Sequence, residues 1–386
     1  MPTVSPYGTD FLSREWPLLI ESCSFARNPE KIARLAEEIR DSESLLLLAE
    51  EHGVLGHLTS SLASAPASAT LFDALRARRR VQLLFTLTMT AELFRMLKLF
   101  CNSATETVVV KGPVLSQRGY GDPAARQYVD LDLLVRHSDI RRAAEILIAA
   151  GYESRVPEVA IRSGKIPGEY LFRRPGTMVI FELHTEHSFR YFPLPLPIED
   201  YFQNKTFLSL DNQSIPALSS EHEFVLICIH GAKHFWERLM WISDVAAMVH
   251  NHPSLDWPLI RQYAAEVGAG RMLRVALLLA EQLLGVAVPA PMKIEVARDS
   301  ACARLVREIE TWLPYGGYAT PRLMQRARFR LRMCEDLLAG AAYLARLSFS
   351  PTEEDWVTDA ARRSDTGEIL RRPFRLAKKY RRNPDS

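Results

Sequence analysis

The chain has 386 residues, 47% hydrophobic and 24% charged, the mix of a globular protein with a sizeable core. Lys plus Arg number 48 and Asp plus Glu 46, so the formal net charge of +2 excludes a general attraction to nucleic acid or to an anionic membrane. The opening MPTVSPYGTD has neither a basic nor an apolar stretch, so no signal peptide is expected. The most apolar run, Val275 to Ala290, is interrupted by Glu281 and falls short of a membrane span. Five cysteines stand far apart without a CxxC pair, the pattern of reduced, buried thiols. A cytoplasmic protein with no membrane partner is expected.

Residues 1–106 read as a helical region, with a Ser/Ala/Pro break from Ser60 to Ser68. Residues 107–190 read as a compact α/β unit. TVVVKG and YVDLDLLV are strand-like, and Pro113 suits the first position of a short helix between them. SDIRRAAEILIAAGY is a helix stopped by Gly151, and EYLFRRPGTMVIFELHTE is a hairpin turning at Pro175 and Gly176. Residues 191–220 read as a Pro-rich irregular crossover. Residues 221–348 form a second helical region, with one helix running through HGAKHFWERLMWISD. Residues 349–386 end in a basic tail, with seven basic and one acidic residue from 371 onward, expected to be solvated. The fold class is α+β, a small mixed β-sheet between N-terminal and C-terminal helical regions.

The chemistry concentrates between Val108 and Val135. Strand alternation puts Asp130 and Asp132 on one face and Val129, Leu131 and Leu133 on the other. Two ionised carboxylates side by side repel, and a hard divalent cation resolves the conflict. In MVIFELHTE, Glu182 shares a face with His184, offering a third acid. Three carboxylates are what a two-metal phosphoryl-transfer centre requires. Lys111 and Gly112 stand where a strand turns into a helix, so free N–H groups and a positive charge can hold nucleotide phosphates. Arg126 is either a second phosphate contact or an ion-pair partner of the acids.

These residues resemble the bacterial uncharacterised nucleotidyltransferase family of the DNA polymerase β-type superfamily. The resemblance lies in VVVKGPVLSQRGYGDPAARQYVDLDLLV, AAEILIAAGY and FELH. It extends to AEEHGVLGHL, HGAKHFWERLMWISDVAAMV, SLDW and SPTEEDW. It implies a two-metal nucleotidyltransferase fold with Asp130, Asp132 and Glu182 as catalytic acids and metal ligands, and with Lys111 and Gly112 in the phosphate turn. It also implies two Mg²⁺ ions (Mn²⁺ as the other candidate), a nucleoside triphosphate co-substrate, and a small-molecule or peptide acceptor. The family's wider superfamily carries Gly-Ser after the first strand, where this chain has Lys-Gly-Pro.

On a continuous helix His230, His234, Arg238 and Trp241 share one face, with Lys233 at its edge. Such a face is either a structural hydrogen-bonding surface or the far wall of the cleft, where His230, Lys233, His234 and Arg238 meet phosphate or acceptor. Two histidines four apart can also chelate zinc, but HExxH and a third ligand are missing. The alternatives to nucleotidyl transfer are a DxD glycosyltransferase using a nucleotide sugar and a non-catalytic nucleotide-binding scaffold. The long helical start counts against the glycosyltransferase, and the missing serine motivates the scaffold.

Overall fold

The computed structural model describes residues 11–63, 69–157, 161, 168–186, 198–319, 323–349 and 372. The stretch 191–197, the SPTEEDW motif and all of the basic tail but Arg372 lie outside the described residues. Among the described residues five α-helices precede the sheet: α1 (Glu15–Cys23), α2 (Pro29–Glu37), α3 (Ser42–Glu51), α4 (Leu55–Leu62) and α5 (Ala69–Asn102). Asn28 and Asp41 start α2 and α3 by accepting hydrogen bonds from otherwise unsatisfied N–H groups of the first turn. Helix α4 runs on through Ser60 and Ser61, where the Ser-rich sequence suggested a loop.

The sheet is built from β1 (Thr107–Val109), β2 (Leu131–Val135), β3 (Glu153–Ser154), β4 (Glu169–Arg173), β5 (Ile180–His184), β6 (Thr206–Leu210) and β7 (Gln213–Ala217). Its order is β3-β4-β5-β2-β1-β7-β6. Strand β2 is parallel to β5 and antiparallel to β1, and β1 is parallel to β7, so the sheet is mixed. Helix α6 (Pro113–Tyr120) follows β1, α7 (Ile140–Ala149) follows β2, and α8 (Ile198–Gln203) precedes β6. The second helical region contains α9 (Ser220–Lys233), α10 (Leu239–Asn251), α11 (Trp257–Glu266), α12 (Gly270–Leu284), α13 (Ala290–Arg298), α14 (Ser300–Trp312), α15 (Leu323–Met333) and α16 (Leu337–Phe349). The α+β class with helices flanking a small mixed sheet is thus what the chain adopts.

Each face of the sheet buries a separate core. Val109, Leu131, Leu133, Tyr170, Phe172, Phe181 and Leu183 pack against Met89, Leu93, Met96 and Phe100 of α5 and Ala144 and Leu147 of α7. On the other face Val108, Val110 and Leu134 join the helical core, with Leu18, Leu58, Ile227, Val245 and Ala276. The apolar alternation fixes which side chains of β2 and β5 must point to the second face. Val129 departs from the expected pattern: it precedes β2 and is 57% exposed.

Two expectations are corrected. The segment 191–220 is not a plain crossover, because residues 206–217 form the β6–β7 hairpin and extend the sheet beside β1. Its two-residue turn, Asp211-Asn212, has φ of 46° and 61°, a backbone that short polar side chains tolerate. The helix through HGAKHFWERLMWISD is broken as well. Helix α9 stops at Lys233, Phe235 and Trp236 take φ of 58° and 54°, and α10 starts at Leu239. The break is held by burial: Trp236 is fully buried and lies over Gly231, where a Cβ would come within 2.3 Å of its ring. Trp312 also donates its indole N–H to the Phe235 carbonyl at 2.7 Å.

Among the described residues no helix is long and apolar enough to cross a membrane. The apolar Val275–Ala290 run instead supplies much of α12, whose Val275, Ala276, Leu277 and Leu279 are buried in the helical core.

Candidate active site

The site begins at the end of β1. The Val110 N–H donates to the Asp132 carbonyl at 3.1 Å, carrying the pairing one residue past the strand and setting Lys111 beside β2. Gly112 then turns the chain with φ 62° and ψ −129°, a combination only glycine adopts without strain. Pro113 takes the first position of α6, where its missing N–H costs nothing. The loop back to β2 is tied to α6: Ser116 Oγ donates to the Asp122 carbonyl at 2.7 Å and accepts from Arg126 N–H at 3.1 Å.

Strand register brings the acids together. Asp132 of β2 stands opposite Glu182 of the parallel strand β5, and Leu134 stands opposite His184. Asp132 is 1% exposed. Its Oδ1 lies 2.8 Å from His184 Nε2, and its Oδ2 faces Lys111 Nζ at 3.2 Å without a hydrogen bond of good geometry. His184 Nε2 is 3.7 Å from Glu182. Asp132, Glu182 and His184 each offer one donor atom, all within 4.8 Å of one another, so these three could hold a metal ion. Two carboxylates with an imidazole, one carboxylate oxygen being buried with only the Lys111 ammonium beside it, fit a divalent cation. Asp130, just ahead of β2, lies outside that group of three and lines the adjoining cavity.

The charges explain the protonation pattern. Burial favours the neutral form of Asp132, yet Lys111 and His184 outweigh it and hold the carboxyl well below the usual range. Burial and the Asp132 charge push Asp130 up. Burial, then Asp132 and the neighbouring Glu169, push Glu182 up to about 10. Burial also works against the Lys111 charge, but Asp132, Asp130 and Glu182 overcome it.

Glu169 is the functional candidate that the sequence reading missed. It pairs with His184 across the β4–β5 hairpin, and its carboxyl is held at about 2, Lys233 overcoming the effect of burial. Lys233 Nζ is 3.9 Å from Glu169 Oε2. A signal existed: once the hairpin turns at Pro175 and Gly176, antiparallel counting sets Glu169 against His184. Across four neighbouring strands the order is therefore Lys111, Asp132, Glu182, Glu169.

Arg126 is buried and lines the cavity, but its Nε donates to Asp244 Oδ2 on α10 at 2.8 Å rather than to the strand acids. Tyr120 donates to the other Asp244 oxygen at 3.0 Å. The loop that carries Arg126 is thus clamped to the second helical region.

The opposite wall differs from expectation. His230, His234 and Trp241 do cluster, with ring centroids 4.7, 5.4 and 5.1 Å apart. His230 and His234 meet in the last turn of α9, where the His234 N–H bonds the His230 carbonyl at 3.2 Å, and Trp241 of α10 joins them across the break at residues 234–238. Burial, followed by the charges of Lys111 and Lys233, lowers His230 well below the usual 6.5 and His234 to about 3, so both rings are neutral. Arg238 stands just ahead of α10, its guanidinium over the Trp241 ring at 5.9 Å. Lys233 turns toward Glu169, while its charge still reaches both rings. Of the four residues read as one candidate wall, His230, His234 and Arg238 line the cavity and Lys233 is not among its described lining residues.

Between the walls lies a cavity of about 280 Å³. Lys111, Gly112, Arg126, Asp130 and Asp132 line one side, and His230, His234, Glu237, Arg238 and Trp241 the other. No curated protein and no solved structure matches the chain. Residues 39–285, more than half of it and spanning both walls, match the family described as uncharacterised nucleotidyltransferase, and the chain belongs to that family.

Proposed function

We propose that this protein transfers a nucleoside monophosphate from a nucleoside triphosphate to a small-molecule or peptide acceptor, on a core of the DNA polymerase β type. Asp130, Asp132 and Glu182 are the acids that would hold two divalent ions, Mg²⁺ or Mn²⁺. The observation that carries this is the register pairing of Asp132 with Glu182, beside a glycine turn that opens a helix in the same cleft. When bound, such ions supply Lewis-acid polarisation of the phosphate and neutralise the charge that develops on it.

The chain's own residues bind and orient. Gly112 lets the backbone approach the donor, and the first N–H groups of α6 face phosphate, with Lys111 adding a positive charge. Arg126, immobilised through Asp244, presents a fixed cation to the same cavity. His184 holds the Asp132 carboxylate in one orientation. The acceptor oxygen bonds to the α-phosphorus, the bond from that phosphorus to its bridging oxygen breaks, and pyrophosphate leaves while the acceptor's proton goes to solvent. Catalysis of this kind is mainly positioning and charge stabilisation.

The test offers the protein each of the four nucleoside triphosphates with Mg²⁺ and a panel of hydroxyl acceptors, reading pyrophosphate release and the mass gained by the acceptor. Release that disappears in Asp132→Asn and Glu182→Gln supports the proposal. Transfer from a nucleotide sugar without pyrophosphate would establish glycosyl transfer instead. Nucleotide binding that ignores Mg²⁺, with no turnover, would establish the scaffold.

A further inference from the structure

The acids and the aromatic wall divide unevenly between two ends of the site. The walls of the 280 Å³ cavity include Lys111, Gly112, Asp130 and Asp132, but neither Glu182 nor Glu169 is among its described lining residues. In an in-line displacement the attacking and leaving oxygens sit on opposite sides of the phosphorus. A donor and an acceptor therefore approach the acids from different directions. The cavity with the glycine turn and the start of α6 suits the donor, and the Glu182–Glu169–Lys233 end is left for the acceptor.

What faces the donor's phosphate end across the cavity is aromatic. His230, His234 and Trp241 put three aromatic rings on one wall, within 5.4 Å of each other centroid to centroid. Their setting keeps both imidazoles uncharged, which makes them poor phosphate ligands and good stacking partners for a neutral ring. Beside the rings stand Arg238, a donor of hydrogen bonds whose guanidinium lies over the Trp241 ring at 5.9 Å, and Glu237, an acceptor, the two kinds of group that read the edge of a heterocyclic base.

We propose that the wall of His230, His234 and Trp241, edged by Arg238, seats the nucleobase of the donor nucleotide. The donor then lies across the cavity, base on the helical wall and triphosphate at the Gly112 turn. This rests on the nucleotidyltransferase reading of the same site and adds what recognises the base.

The test is calorimetric binding in Mg²⁺ buffer, with inorganic tripolyphosphate as a probe of the phosphate end alone and each nucleoside triphosphate as a probe of both ends. Wild-type protein binds at least one nucleoside triphosphate about tenfold or more tighter than tripolyphosphate, the usual scale of base–aromatic stacking. Trp241→Ala removes that advantage and leaves tripolyphosphate unchanged, whereas Trp241→Phe keeps most of it. Arg238→Ala, at a side chain 40% exposed and so safe for folding, narrows the preference among the four bases. Equal affinity for tripolyphosphate and all four nucleotides in wild type overturns the base seat and leaves nucleotidyl transfer standing. So does a Trp241→Ala variant, folded by circular dichroism, that retains the full preference. Failure of wild type to bind either class of probe overturns the nucleotidyltransferase reading itself.

Discussion

Asp132→Asn separates the catalytic demand on Asp132 from its structural one. The change keeps volume and removes one charge from a carboxylate that is 1% exposed and has Lys111 Nζ 3.2 Å away. At an effective dielectric constant near 20 that attraction is about 5 kcal/mol. Breaking a buried pair by removing one partner costs about 3–5 kcal/mol, because the other charge is left without compensation. Here the loss is partly offset. The charge that holds Lys111 also repels Asp130 and Glu182, so its removal lets those acids ionise more readily and serve Lys111 as counter-ions. A net destabilisation of about 1–3 kcal/mol follows, within the ordinary range for a single substitution. The folded protein persists while pyrophosphate release falls at least about a hundredfold, the scale of losing one preorganised electrostatic contact. The assay pairs urea denaturation with pyrophosphate release, and includes the double variant Asp132→Asn with Lys111→Met. The double variant leaves neither charge buried, so stability returns and turnover does not. Near-wild-type release in folded Asp132→Asn, or release restored in the double variant, would refute the reasoning.

Three further outcomes follow from the packing. His52 is buried, accepts the Leu239 N–H on Nδ1 at 3.2 Å and faces the Pro314 carbonyl with Nε2 at 3.4 Å; burial lowers it from 6.5 to about 4. Between those pH values the unfolded chain binds a proton that the folded chain refuses, so this residue's contribution of about 3 kcal/mol is present above 6.5 and lost as pH falls to 4. Urea midpoints that decline less steeply over that range in His52→Gln than in wild type would show it, and identical slopes would count against it. Gly112→Ala places a Cβ at ordinary van der Waals distance from its neighbours, the nearest being the Asp130 carbonyl oxygen at 3.6 Å, yet at φ 62°. The penalty is then backbone strain alone, about 1–3 kcal/mol, accompanied by weaker tripolyphosphate binding; a variant with unchanged thermal midpoint and affinity contradicts the turn's role. Gly231→Ala drives a methyl to 2.3 Å from the Trp236 ring. It should cost about 1–3 kcal/mol or more and displace the residue 234–238 turn, seen as altered near-ultraviolet circular dichroism.

How much of this was legible in the chain can be argued element by element. Alternation around Asp132 and around Glu182 was local, so the polar face of each strand could be read from its own residues, as could Pro113 at the head of α6. The same reading covered the β4–β5 hairpin but did not count across it, and so missed Glu169. The far wall was read as one polar helix face: i, i+4 spacing does bring His230 and His234 together, with the His234 N–H on the His230 carbonyl at 3.2 Å, but the helix ends there and Arg238 and Trp241 join them from beyond the break. The left-handed pair Phe235-Trp236 has no signature in propensity, because bulky residues avoid that backbone. What holds it is the Trp236 ring over Gly231 and the Trp312 bond, contacts made by residues close and far in the chain alike.

By itself the sequence determined composition class, the two helical regions around a strand-rich centre, and the side chains bearing charge on the strands, since these depend on neighbours two to four residues away. Tertiary structure alone decided that β5 lies parallel beside β2, that the β6–β7 hairpin closes on β1, and that Asp244 reaches Arg126 from a helix 118 residues on. Strand partnership and register are settled by which distant surfaces can be buried together, a comparison over the whole chain that no local period encodes.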